Sequence, residues 1–199
     1  LPISLDNPIS QEMSTMRPRL LPGLILAAAR NLARSQEGAC LFEVASHYED
    51  ATLEGQKRMV AGVRVGGAQR HWQGALPRFS WMDVKADVWA LLQAYGVDTD
   101  RVTLVMKTPD FYHPGRSATL MLEEKVLGVF GALHPVTLKA MDMPMDMVAF
   151  ELFLQEVPVQ EKQNSPASLS AFQSVERDLA FVIDQRLPAQ NVLQIVKQV

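Results

Sequence analysis

The 199-residue chain holds 48% hydrophobic and 21% charged residues at a net charge of −3, a soluble globular composition long enough for a sizeable core without a disulfide or metal staple. Its single cysteine, Cys40, rules out an intramolecular disulfide, speaks against a cysteine-based zinc site and fits a reducing cytoplasm. The acidic balance speaks against a dedicated nucleic-acid binder, and no apolar run approaches the roughly 20 residues that span a bilayer, so no membrane partner is expected.

The opening Leu1-Pro2-Ile3-Ser4 is neither a signal peptide nor an initiating methionine, and reads as an internal boundary of a longer chain. From Leu20 to Arg34, Leu21, Leu24, Ile25, Ala28 and Leu32 share one helical stripe. Pro22 suits the first turn and Gly38 an end. The run Ala27-Ala28-Ala29 admits close approach of another backbone, either the chain's own sheet or a partner. Cys40 to Tyr48 and Lys57 to Gly66 read as strands joined into an antiparallel hairpin by the loop from Asp50 to Gln56. A second helix, Met82 to Tyr95, carries the stripe Val84, Val88, Leu91, Leu92 and Tyr95, and Gly96 stops it.

Further strands are predicted at Val102 to Lys107, Ser117 to Glu123, Lys125 to Gly131 and Met147 to Gln155, with a short helix starting at Pro135. In the last of these strands Phe150, Leu152 and Leu154 alternate against Glu151 and Phe153. Residues 158–168 read as a polar linker. Beyond it, a strand from Asp178 to Ile183 and a helix from Ala189 to Val199 form one β–α unit, which cannot close a core by itself. Separate helices interrupting antiparallel hairpins make the expected class α+β.

Standard catalytic motifs are missing: there is no Walker loop, GxGxxG after a strand, GxSxG elbow or HExxH. The histidines His47, His71, His113 and His134 lack convergent metal-ligand spacing; a loop or cap role, with a ring nitrogen bonded to backbone, is expected. In His113-Pro114-Gly115-Arg116, the arginine either binds a phosphate or carboxylate or braces the loop before a strand. Asp83, Lys85 and Asp87 open the second helix, where acids match the helix dipole.

An ordered set of segments resembles the β subunit of bacterial phenylalanyl-tRNA synthetase. They are Asn7-Pro8-Ile9-Ser10, Met16-Arg17, Leu20-Leu21-Pro22-Gly23-Leu24, Leu41-Phe42-Glu43-Val44, Asp83-Val84-Lys85, His113-Pro114-Gly115-Arg116-Ser117-Ala118, Leu133-His134-Pro135 and Arg177-Asp178-Leu179-Ala180-Phe181. The resemblance implies a class II synthetase-like antiparallel sheet flanked by helices in residues 1–157. It also implies the first β–α unit of a ferredoxin-like anticodon-binding domain in residues 169–199. The first helix would be the motif 1 helix, its Leu21, Leu24, Ala27 and Ala28 meeting the α subunit of an α2β2 tetramer. The hairpin would be motif 2, with Glu49 standing where active enzymes carry an ATP-binding arginine. No arginine lies between Arg116 and Arg177 to serve as the third-motif equivalent.

The resemblance therefore implies no catalytic, cofactor-binding or metal residue on this chain. The whole enzyme would use ATP, magnesium and tRNA, with its magnesium-linked residues upstream. An autonomous adenylate-forming ligase with a divergent site and a tRNA-binding module are the alternatives.

Overall fold

In the computed structural model, which describes residues 3–34, 36–67, 72, 74, 77–159, 172–173 and 175–197, the chain divides into Leu1–Glu161 and Lys162–Val199. The first unit contains helix α1 (Leu21–Ala33) and strands β1 (Gly38–Tyr48) and β2 (Gln56–Gly66). Next come α2 (Trp81–Ala94), β3 (Val102–Val105), β4 (Tyr112–Leu122), β5 (Lys125–Leu133), the short α3 (Pro135–Ala140) and β6 (Met147–Phe153). All strand pairs are antiparallel, in the order β1-β2-β6-β5-β4-β3. The α+β expectation holds.

The period of two along each strand divides the apolar side chains between two layers. Met59, Ala61, Val63 and Val65 of β2, with Met147 and Ala149 of β6, pack under Leu21, Leu24, Ile25 and Ala28 of α1. Val148, Phe150 and Leu152 of β6 face Val84, Val88 and Leu92 of α2 on the other side. There Phe130 meets Trp81 at 6.3 Å and Trp89 edge-on at 6.2 Å between ring centroids.

Local chemistry sets the boundaries. Ser80 and Asp83 form a reciprocal capping box at α2, Asp83 Oδ2 accepting from Ser80 N at 2.6 Å and Ser80 Oγ from Met82 N at 3.3 Å. The helix thus starts one residue before the expected Met82. Strand β4 begins at Tyr112, five residues before the expected Ser117, because His113–Arg116 form a register shift inside it. Gly131 lies opposite Ser117 with φ 149°, where a Cβ would overlap Ser117 Cα and Cβ and the Arg116 carbonyl oxygen. Gly131→Ala should therefore cost about 1–3 kcal/mol of stability, read as a lower Tm; an unchanged Tm would show that the strand yields there.

One strand face and one expected strand depend on neighbours. The alternation in β6 sets Glu151 on the face opposite Phe150 and Leu152, and there it is 0% accessible, because β6 is central and both of its faces are covered. In the second unit, Asp178 to Ile183 forms no strand, and among the described residues only α4 (Ala189–Lys197) is regular. A strand needs a neighbour for its backbone groups, and none pairs with this stretch among the described residues. Most of the expected 158–168 linker lies outside the described residues. No described helix is long and apolar enough to cross a membrane.

Candidate functional site

Three polar clusters stand out on the sheet. The first is at the turn end of the β1–β2 hairpin. Asp50 Oδ1 accepts from Thr52 N at 2.8 Å, and Gly55 N donates to Thr52 Oγ1 at 3.0 Å, so the loop is closed by its own side chains. The Thr52 hydroxyl holds the Asp50 carboxyl below its ordinary range. At the strand end, Lys57 Nζ lies 2.6 Å from Glu49 Oε2, and His47 Nε2 is 3.6 Å from Glu49 Oε1. The bond from Lys57 lowers the Glu49 pKa and raises that of Lys57. The motif 2 position that resemblance assigns to an arginine therefore carries an anion held by its own cation. His47 is buried, and its Nδ1 has no partner among the described residues.

The second cluster was missed by sequence reasoning. Arg19, just ahead of α1, places Nη1 2.6 Å from Glu151 Oε2 and its guanidinium 4.9 Å from the Phe111 ring centroid. Glu151 Oε1 and the buried Tyr112 hydroxyl have no hydrogen-bond partner among the described residues. Burial pushes the Glu151 carboxyl up, against the pull of Arg19; it also pushes the Tyr112 phenol up, with the nearby Glu151 adding to it. The only signal in the sequence was one acid inside the apolar run from Met147 to Leu154.

The third joins His113 and His134, whose ring centroids lie 6.3 Å apart. His113 Nδ1 accepts from Gly115 N at 3.1 Å, and His134 Nδ1 accepts from Val136 N at 3.2 Å as the N-cap of α3. Both imidazoles cap backbone. Arg116 is exposed, and its side chain makes no hydrogen bond or ion pair among the described residues, so it does not brace the loop.

At the start of α2 the three charged residues have separate tasks. Asp83 caps, Asp87 takes both guanidinium arms of Arg64 at 2.7 Å, and Lys85 lies 4.9 Å over Trp89. The bidentate bond that Arg64 donates to Asp87 raises the Arg64 pKa and keeps this guanidinium engaged. Among the described residues no three His, Cys, Asp or Glu side chains gather as metal ligands.

Helix α1 corrects the expected interface. Leu21, Leu24 and Ala28 are 2%, 6% and 0% accessible, packed on the chain's own sheet. Of the four residues expected to meet a partner, only Ala27 retains some exposure; the outward face presents Gly23, Leu26 and Arg30.

The family model described as the phenylalanyl tRNA synthetase beta chain CLM domain matches residues 1–154. Over 96% of its length the chain is 42% identical to the phenylalanine–tRNA ligase beta subunit of Bartonella quintana (strain Toulouse). It is 44% identical over 98% to that of Brucella abortus (strain 2308). In both comparisons it spans about 25% of the relative's length. Among solved structures it resembles the pyrrolysyl tRNA synthetase PylSc of Desulfitobacterium hafniense, with a TM-score of 0.57 at 17% identity over 78% of this chain and 50% of that one. At that identity the likeness is one of fold.

Proposed function

The chain belongs to the phenylalanyl-tRNA synthetase β-chain family, and from that membership we propose that it is the synthetase-like, catalytically silent module of a phenylalanine–tRNA ligase β subunit. In this reading it supports an α subunit that joins phenylalanine to its tRNA with ATP, and the assembly is α2β2. The observation that carries the silence is the Glu49–Lys57 pair. Adenylate formation needs donors converging on the ATP phosphates; here the hairpin position holds a carboxylate, and Arg64 is clamped by Asp87.

Assembly through α1 falls to its outward face, with Leu26 and Ala27 in place of Leu21, Leu24 and Ala28. The test is phenylalanine-dependent exchange of labelled pyrophosphate into ATP by the chain alone. Background exchange is expected. Exchange that disappears with Arg64→Ala would instead establish an adenylate-forming ligase with a divergent site. Sedimentation with the α subunit of the same enzyme, using the full β chain, reports on assembly: a mixed species is expected, and separate sedimentation of the two would overturn the supporting role.

A further inference from the structure

Two buried oxygens of the first unit, Glu151 Oε1 and the Tyr112 hydroxyl, find no hydrogen-bond partner among the described residues. They belong to side chains of residues 0% and 1% accessible. This chain alone buries them, so further chain packed on it can only deepen that burial. Buried polar oxygens of folded proteins are paired, because one left without a partner loses its hydration with nothing in exchange.

Both side chains are fixed in place. Arg19 Nη1 holds Glu151 Oε2 at 2.6 Å. The Tyr112 ring packs against Phe111 with centroids 5.0 Å apart, and Phe111 lies under the Arg19 guanidinium at 4.9 Å. In the sheet register Glu151 stands between Ala61 of β2 and Val129 of β5, whose side chains offer no donor. The buried hydroxyls of β4 are committed elsewhere. Ser117 Oγ donates to the His113 carbonyl at 2.6 Å and meets Thr108 Oγ1 at 2.9 Å, while Thr119 Oγ1 donates to the Lys107 carbonyl at 2.6 Å. The two orphaned oxygens are nonetheless close enough for the Glu151 charge to act on the Tyr112 phenol.

We propose that Glu151 Oε1 and the Tyr112 hydroxyl hold one internal water between them. Charge and hydrogen-bonding capacity select that ligand. With Glu151 ionised, its charge and that of Arg19 cancel, so the site has no net pull on a cation or an anion. An apolar guest would leave both oxygens unpaired. A carboxylate oxygen only accepts, whereas a phenol both donates and accepts. Water suits both, donating to Oε1 and accepting from the Tyr112 O–H. Arg19, which reaches Glu151 through Nη1, has further N–H groups for a third bond. The water then ties β4 to β6, which β5 separates in the sheet. The site is independent of the catalytic reading: an exchange-active chain would bury the same two oxygens.

The test is a high-resolution crystal structure of the 199-residue chain, joined to urea unfolding of Tyr112→Phe. One solvent peak is expected within about 2.5–3.0 Å of both oxygens. Tyr112→Phe takes away one of the water's partners and should raise the unfolding equilibrium constant by about three- to tenfold. Tryptophan fluorescence follows that transition, since Trp72, Trp81 and Trp89 all belong to the first unit. A hydroxyl with no partner gives the opposite sign, because deleting it relieves an uncompensated burial. A site without a solvent peak, a Tyr112 hydroxyl bonded directly to Glu151, or a Tyr112→Phe chain at least as stable as wild type would each overturn the proposal.

Discussion

Arg19→Ala should lower the unfolding free energy by roughly 3–5 kcal/mol near neutral pH, nearer the lower figure because the stranded carboxyl can take up a proton. The loss should shrink as the solution is acidified. Glu151 is 0% accessible, and with Arg19 removed only its burial, which raises its pKa above 4.5, would remain. A carboxyl whose folded pKa is raised holds its proton in the folded state after the unfolded chain has released it. Stability then falls as pH rises from the ordinary carboxylate value through the raised one, and below the ordinary value the electrostatic cost is absent. The wild-type pair follows the same sign with smaller amplitude, because Arg19 opposes the burial effect. Urea unfolding from about pH 4 to about pH 8 reads this directly. Adding Glu151→Gln to Arg19→Ala should recover most of the neutral-pH loss, since the double variant has no buried charge. A loss of equal size at every pH, or no recovery in the double variant, would mean that packing of Arg19 on Phe111 is the larger contribution.

Ala28→Arg should unfold the first unit, while Leu26→Arg should leave it folded. Ala28 is 0% accessible between α1 and the sheet. An arginine there must either open the helix–sheet contact or bury an unpaired guanidinium, a cost above about 4 kcal/mol against a total stability of order 5–15 kcal/mol. Leu26 is 49% accessible, and a charge at such a site changes stability by about 0.5 kcal/mol. Circular dichroism and thermal unfolding separate the two variants. Only Leu26→Arg is then informative about the proposed association with an α subunit. An Ala28→Arg chain melting at the wild-type temperature would contradict the packing of α1.

Reading the sequence in order locates the elements of the first unit to within a few residues, because helix and strand periods, Pro22, Gly96 and the acids at the start of α2 act over one or two turns. The hairpin was legible for the same reason, since the Asp50–Gly55 loop closes on its own side chains. The larger errors came where the answer depends on a neighbour. The stripe Leu21, Leu24 and Ala28 shows that α1 has an apolar face, and nothing in its spacing says whether the chain's own sheet or another subunit covers it. The alternation in β6 says that Glu151 and Phe150 take opposite faces, and only the place of β6 between β2 and β5 shows that both faces are covered. Asp178 to Ile183 has strand composition, yet composition supplies no partner for its backbone.

What the sequence determined by itself is membership of the synthetase β-chain family, carried by an ordered set of motifs, and the succession of helices and strands, which local sterics and hydrogen bonding dictate. Only the tertiary structure decided which apolar faces are already covered, that Arg19 and Glu151 meet across 132 positions of chain, and that β1 stands last in the sheet order among the described strands. Those are matters of long-range pairing, settled when the chain closes on itself and buries its surface.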